Sequence, residues 1–355
     1  MRRRFFFALA GVALALVAVE GAVRLRQWLR YGTALASYYR FTQDPATGLR
    51  IPEPGSSVGP ITINSLGFRG PELEQPKPPG RIRLAFLGGS TTFCAEASAL
   101  EATWPHLVVE GLRSAAPELQ FDYVNAAAAG FTVEHLRIDL ERRVAPLQPD
   151  AIVLYEATND LTVDARRLAI AQGLYEAEDS DHSPIGDWWL TYFLVEKNVL
   201  QFLRARDQRP KVHFEPTALS RGFEERLTRL VEAAQARCSV VVLVTFSIQM
   251  RREQALERLR DAAASALYFM PFLDLEGLLA GYGEYNRVLR SVAAATGALL
   301  IEGEQTIPGD SEHFVDSVHF RDPGSILQAR RVLAGLRGAA AFQELLERHR
   351  KSPSR

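Results

Sequence analysis

Arg81 to Phe93 reads RIRLAFLGGSTTF, and the rest of the chain is arranged around it. Ile82 to Leu87 is a short, unbroken apolar run, which predicts a strand covered on both faces; it stops at Gly88-Gly89, and Ser90, Thr91 and Thr92 come next as the first residues of a helix. Paired glycines permit backbone angles that a Cβ forbids and let a ligand come close to the main chain. A helix start just beyond leaves free N–H groups facing whatever sits there. The stretch therefore predicts a strand, a sharp turn and a presented hydroxyl, a setting suited to an anion or a developing oxyanion. A P-loop is excluded, because the turn carries no lysine and lacks the glycine spacing, and so is a G-x-G-x-x-G dinucleotide turn. The G-x-S-x-G elbow is incomplete, with Thr92 at its second glycine. Taken alone, the stretch also fits a tight turn in which Ser90 merely caps the helix.

Outward from this turn, short apolar runs alternate with segments of helical period. Strands are expected at Ile82 to Leu87, Tyr123 to Asn125, Ala151 to Tyr155, Val240 to Thr245 and Leu299 to Glu302. Helices are expected over Trp104 to Arg113, Val133 to Val144, Glu224 to Ala236 and Tyr285 to Ala295, with a last one after Gly324. Continuous apolar strands predict a parallel sheet between helix layers, with ligand chemistry at the carboxyl ends of the strands. Leu161 to Ser220 breaks the rhythm as an insertion after the third strand, carrying Trp188, Trp189, Tyr192, Phe193 and Phe202, with Asp187 as a helix cap. It reads as an accessory helix whose aromatics pack on the core, or as a lid over an acyl or sugar site.

Four strand ends carry polar residues that belong together chemically. Gly89-Ser90 comes after the first strand, Gly130 after the second (NAAAAGFT) and Asn159 after the third (YEATND), while Asp316-Ser317-Val318-His319 lies near the C-terminus. A serine becomes a nucleophile when an imidazole takes its proton, and the imidazole needs a carboxylate to fix its tautomer. Asp316 and His319 offer that pair. The tetrahedral intermediate then needs preorganised donors, for which the N–H groups of Ser90 and Gly130 and the side-chain amide of Asn159 are candidates. A second D-x-x-H, Asp310 to His313, lies six residues upstream. Glu156, Asp160 and Thr132 read either as residues that orient the site or as helix caps.

In order and spacing these blocks resemble the SGNH (GDSL-like) hydrolases. Gly88-Gly89-Ser90 stands where that family has its GDS block, Gly130-Phe131-Thr132 where its glycine block falls, Ala157 to Asp160 where it has G-x-N-D, and Asp316 to His319 where it has D-x-x-H. The resemblance covers roughly residues 82 to 336. It implies an α/β, three-layer flavodoxin-like fold with a parallel five-stranded sheet, and serine-dependent hydrolysis or transfer of ester-linked acyl groups. The expected catalytic set is Ser90, Asp316 and His319, with Ser90, Gly130 and Asn159 as the oxyanion hole and no metal or organic cofactor. Gly89 replaces the aspartate of GDS, and Ala157 the glycine of G-x-N-D. His319 is preferred to His313 because Phe320 and Pro323-Gly324 resemble the residues after the family's histidine. NSLGFRG, Asn64 to Gly70, resembles the segment preceding the domain in membrane-anchored bacterial members. That implies a catalytic domain outside the cytoplasm, in the periplasm or at the cell surface.

The N-terminus fits such a location. Arg2, Arg3 and Arg4 precede an apolar run from Phe5 to Val19, which continues past Glu20 to Val23 and amounts to roughly 28 Å of helix. Small residues are poorly placed for signal-peptide cleavage, so an uncleaved transmembrane anchor is expected over residues 1–30. Leu25, Trp28 and Leu29 share a helical face as an interfacial continuation. Residues 31–80 read as an irregular, proline-rich lead-in with an edge strand at Ile61 to Ile63, and 81–350 as the hydrolase-like domain.

Composition narrows the partners. The 355 residues are 47% apolar and 23% charged, with a net charge of −1 and no basic stripe, which argues against nucleic acid. Cys94 and Cys238 are too few for a disulfide framework, and His106, His135, His182 and His213 show no metal-ligand spacing. The expected substrate is an ester-bearing small molecule or polysaccharide, hydrolysed by a carboxylesterase or O-acetylesterase. Two alternatives stand beside it: an O-acyltransferase using the same site on an envelope or exopolysaccharide, and a catalytically silent carbohydrate-binding or assembly protein.

Overall fold

The computed structural model describes residues 2–31, 39–175, 189–205 and 210–351. The chain opens with helix α1 (Arg2–Tyr31). Two antiparallel hairpins come next, β1 (Phe41–Gln43) with β2 (Arg50–Pro52) and β3 (Ser57–Val58) with β4 (Ile61–Thr62). The main sheet begins with β5 (Arg81–Gly88). After it come α2 (Ser90–Phe93), α3 (Trp104–Ala115), β6 (Gln120–Asn125), α4 (Val133–Asp139), β7 (Ala151–Tyr155), α5 (Thr158–Ala171), α6 (Leu190–Ala205) and α7 (Pro216–Gln235). β8 (Val240–Val244), α8 (Leu256–Phe269), α9 (Leu275–Thr296), β9 (Leu299–Ile301), α10 (Asp322–Gly338) and α11 (Ala340–Lys351) complete the chain.

The five strands β5 to β9 form one wholly parallel sheet in the order β6-β5-β7-β8-β9. Their apolar runs are unbroken because both faces are covered: Ile82, Leu84, Ala85, Phe86 and Leu87 are fully buried. α3, α10 and α11 pack together on one side, and α4, α5, α7 and α9 on the other. After β5 the chain steps outward to β6, then returns across β5 to β7. The strand order therefore reverses at the carboxyl end of β5, the place where an open α/β sheet leaves a crevice. Gly88, the last residue of β5, lies beside Tyr155 of β7. Ser90 emerges at that crevice.

Near the opposite end of β5, Arg83 is fully buried. Its Nε and Nη2 donate to the two oxygens of Asp122 at 2.8 and 2.7 Å, and its remaining donors reach the carbonyls of Leu147 and Glu74. The lead-in packs on the core as well, where Tyr39, Ile61, Ile63, Phe93 and Ala127 form a buried apolar cluster. Of the segment 161–220, residues 161–171 complete α5, 190–205 form α6 and 216–220 open α7. Asp187 and Trp188 lie outside the described residues, as does the side chain of Phe202.

The fold does not show the expected N-terminal membrane span. Among the described residues no helix is long and apolar enough to cross a membrane, so α1 is not established as a transmembrane helix. Glu20 interrupts the apolar run. Its carboxylate accepts from Arg24 Nε at 2.6 Å and from the first N–H groups of α6, Leu190 and Thr191, at 2.9 and 2.8 Å. That bonding gives α6 its N-terminal cap and ties α1 to the globular domain. Apolar side chains on α1 such as Phe6, Phe7, Leu14 and Val17 are exposed.

Candidate active site

The four-residue helix α2 that carries Ser90 is too short to satisfy its own carbonyls. Each finds another donor. Ser90 O accepts from Cys94 N, a residue in the left-handed conformation (φ 59°), and Thr91 O accepts from the Trp104 indole at 3.1 Å. Thr92 O accepts from the Asn125 amide at 3.0 Å, and Phe93 O from Arg69 Nη1 at 2.8 Å; Arg69 also reaches Cys94 O. The two glycines before Ser90 are required by crowding. A Cβ on Gly88 would strike Thr92 and the Tyr155 carbonyl, and one on Gly89 would strike Asn159 and Glu156. The serine is thus held on a turn braced from four directions, half-buried and open to the crevice.

His319 meets it from the far end of the chain. His319 Nε2 lies 2.8 Å from Ser90 Oγ, and its Nδ1 lies 2.9 and 3.0 Å from the two oxygens of Asp316. Asp316 in turn accepts from the backbone N–H groups of Val318 and His319 at 3.0 Å, a local turn that fixes the carboxylate under the imidazole. Ser317 anchors this loop on α8, donating to Ala262 O and accepting from Ala266 N. The rival pair, His313 Nδ1 and Asp310, is equally close at 2.8 Å, but the imidazole hydrogen-bonded to Ser90 is that of His319.

The other two candidate oxyanion donors lie after β6 and at the start of α5. Gly130 has φ +80° and nothing within 4 Å of where a Cβ would stand, so its conformation, not crowding, calls for glycine. Asn159 sits in the first turn of α5, its backbone N–H donating to Glu156 Oε1 at 2.8 Å and its amide to Phe131 O at 2.8 Å. The second bond ties Asn159 to the loop that carries Gly130. Asp160, next to it, accepts from Val133 N at 2.8 Å and from Arg226, joining the starts of α4 and α5.

The electrostatics raise the affinity of His319 for a proton, so the free base that can act on Ser90 gains population as the pH rises. Burial alone would lower the imidazole of His319, but the carboxyl groups of Glu96, Asp316 and Glu156 outweigh that and raise it to about 9. Burial would raise Asp316; the adjacent imidazole and the hydrogen bonds it receives instead hold it well below the usual carboxylate range. Burial pushes Glu156 up to about 8, and it also raises Glu96, against the opposing pull of His319.

Three supporting residues escape a reading by motif. Arg69 and Tyr39 belong to the lead-in, yet Arg69 holds the end of α2, and Tyr39 stacks on Phe93 at 4.1 Å and accepts from Ala129 N, next to Gly130, at 3.0 Å. The signal for Arg69 is a charged residue between Phe68 and Gly70 in NSLGFRG. Glu96, half-buried beyond α2, has none.

Among solved structures the chain is similar to Axe2, an acetylxylan esterase from Geobacillus stearothermophilus. The match is 19% identical over 74% of this chain and 97% of that one, with a TM-score of 0.44. It is similar also to LAE5, an alpha/beta hydrolase enzyme from the metagenome of Lake Arreo, Spain, at 18% identity over 73% and 95% of the two chains, with a TM-score of 0.44. No curated protein sequence matches. The model of the GDSL-like lipase/acylhydrolase family matches residues 86–325, a span that holds Ser90, Gly130, Asn159, Asp316 and His319, and the chain belongs to this family.

Proposed function

We propose that this ester-bond hydrolase works through Ser90 as nucleophile, His319 as general base and then acid, and Asp316 as the group that orients His319. The observation that carries the reading is the 2.8 Å contact between Ser90 Oγ and His319 Nε2, backed by Asp316 on Nδ1. Oγ attacks the ester carbonyl carbon while its proton passes to Nε2. The negative oxygen that forms is received by the N–H groups of Ser90 and Gly130 and by the Asn159 amide, and such a donor is typically worth about 3 to 4 kcal/mol. Collapse expels the alcohol, which takes the proton from Nε2 and leaves an acyl-serine. Water, deprotonated by the same nitrogen, then releases the acid and restores Oγ–H.

The natural ester is proposed to be a short acyl group, such as O-acetyl, on an envelope or exopolysaccharide. Gly130 is exposed and Ser90 half-buried, so an ester carried on a bulky polymer reaches the serine from solvent. The exposed apolar side chains of α1, preceded by three arginines, support a membrane anchor, with the catalytic domain on the periplasmic or cell-surface side.

The test is release of p-nitrophenol from its acetate ester by the full chain and by Ser90→Ala, with fluorophosphonate labelling of Ser90. Turnover and labelling that vanish together in folded Ser90→Ala support the reading; turnover that survives it overturns the nucleophile. Acetyl transfer to an added polysaccharide in excess of hydrolysis would move the acyltransferase forward. Recovery of the intact chain in the soluble fraction of cells would remove the anchor.

A further inference from the structure

Glu156 lies directly after Tyr155 at the end of β7 and is 3% exposed. Oε1 accepts the backbone N–H of Asn159 at 2.8 Å, while Oε2 is buried with no hydrogen-bond partner. A Cβ on Gly89 would come closer than 3.0 Å to both Glu156 Oε2 and Asn159 Nδ2. The carboxyl therefore fills the space between the nucleophile turn and the amide of Asn159. A simple helix cap has no need of such burial, since an exposed carboxylate serves as well and keeps its hydration.

We propose that Glu156 is a positioning residue for ester hydrolysis, locking Asn159 against the Gly89 turn so that the Asn159 amide and the Ser90 N–H address one oxyanion. The inference rests on the reading of Ser90 as nucleophile. The environment keeps this carboxyl from placing a negative charge beside the oxyanion at neutral pH. Burial raises it to about 8, helped by the Asp160 carboxylate and opposed by the hydrogen bond from Asn159 N–H and by the nearby N–H dipoles of Gly89 and Ala157. The other titratable groups facing it are His319, Tyr282 and Tyr155. A neutral carboxyl still accepts from Asn159 N–H, so positioning survives without the charge.

The test compares the full chain with Glu156→Ala and Glu156→Gln, measuring kcat and KM for p-nitrophenyl acetate, the pH profile, thermal melting and fluorophosphonate labelling. Displacing an oxyanion donor by a fraction of an ångström predicts a kcat between about tenfold and a hundredfold lower in Glu156→Ala, with KM little changed. Glu156→Gln, which keeps an acceptor for Asn159, recovers most of the rate. It also lowers the pH midpoint of the His319 limb, because Glu156 is ionised above about pH 8 and the variant lacks that neighbouring charge there. Wild-type kcat in folded Glu156→Ala overturns the proposal, as does a loss in Glu156→Gln equal to that in Glu156→Ala. If Ser90 in the unaltered chain neither labels nor turns over the ester, the nucleophile reading fails and this inference falls with it; normal labelling with no effect of Glu156 sinks the inference alone.

Discussion

Asp316→Asn changes the relay by a single atom type. In the native geometry both carboxylate oxygens lie within 3.0 Å of His319 Nδ1, so Nδ1 keeps its proton and Nε2 is left to accept from Ser90 Oγ at 2.8 Å. An asparagine fits the same space but can present an N–H to Nδ1, which favours the tautomer protonated on Nε2 and turns a donor toward the serine. The expected loss is about 10³- to 10⁴-fold in kcat, or roughly 4 to 5.5 kcal/mol of transition-state stabilisation. The pH profile gives an independent sign. Only the neutral imidazole acts as base, so with His319 raised to about 9 the activity climbs with pH through that value. At pH 7 about 1 per cent of the molecules carry the free base, and the rate rises about tenfold per unit below the midpoint. Removing the Asp316 charge moves the midpoint to lower pH while the plateau falls. The assay is initial rates on p-nitrophenyl acetate from pH 6 to 10, corrected for spontaneous hydrolysis, with Asp310→Asn as the control. Asp310 pairs with His313, whereas the imidazole hydrogen-bonded to Ser90 is that of His319, so that variant keeps its rate. Equal losses in the two variants, or an unmoved midpoint in Asp316→Asn, would refute the relay.

Two further perturbations test the supports. Arg69→Ala strips the donor from the carbonyl of Phe93, an unmet buried acceptor costing about 1 to 3 kcal/mol, while Cys94 O keeps its bond from Ala97 N; thermal melting is expected to fall and kcat to drop with little change in KM, and an unchanged kcat would remove Arg69 from the nucleophile's support. Asp122→Ala leaves the Arg83 guanidinium buried without its carboxylate partner; denaturant unfolding should show a loss of about 3 to 5 kcal/mol, and a change below about 1 kcal/mol would show that the pair carries little of the fold.

Much of the frame is open to reading along the chain, because a strand covered on both faces must be apolar at every position. The observed β5, β7 and β8 match their expected runs to within a residue at either end. α8 escapes that reading: its alanine-rich stretch, Ala262 to Ala266, gives a weak apolar stripe, and its place is set by the Asp316 loop hydrogen-bonded against it. The lead-in reads as irregular because its hairpins are only two or three residues per strand, and they are held by contacts with distant parts of the chain. The expected membrane span rests on continuous apolarity, which takes no account of Glu20 binding the start of a helix 170 residues away.

The sequence by itself determined the strand-turn-serine of β5 and α2, because consecutive glycines and an unbroken apolar run act through local sterics and burial alone. It also determined that each D-x-x-H forms its own carboxylate–imidazole pair, since residues three apart meet in any tight turn. Which pair faces the serine is another matter. Asp310–His313 and Asp316–His319 are equally close within themselves, at 2.8 and 2.9 Å. Only the docking of the C-terminal loop on α8 brings one imidazole across 229 residues of chain to Ser90. The same holds for Arg69 and Tyr39. Their partners are chosen by the packing of sheet, lead-in and loops, and a hydrogen bond between segments far apart in sequence leaves no periodic trace in either one.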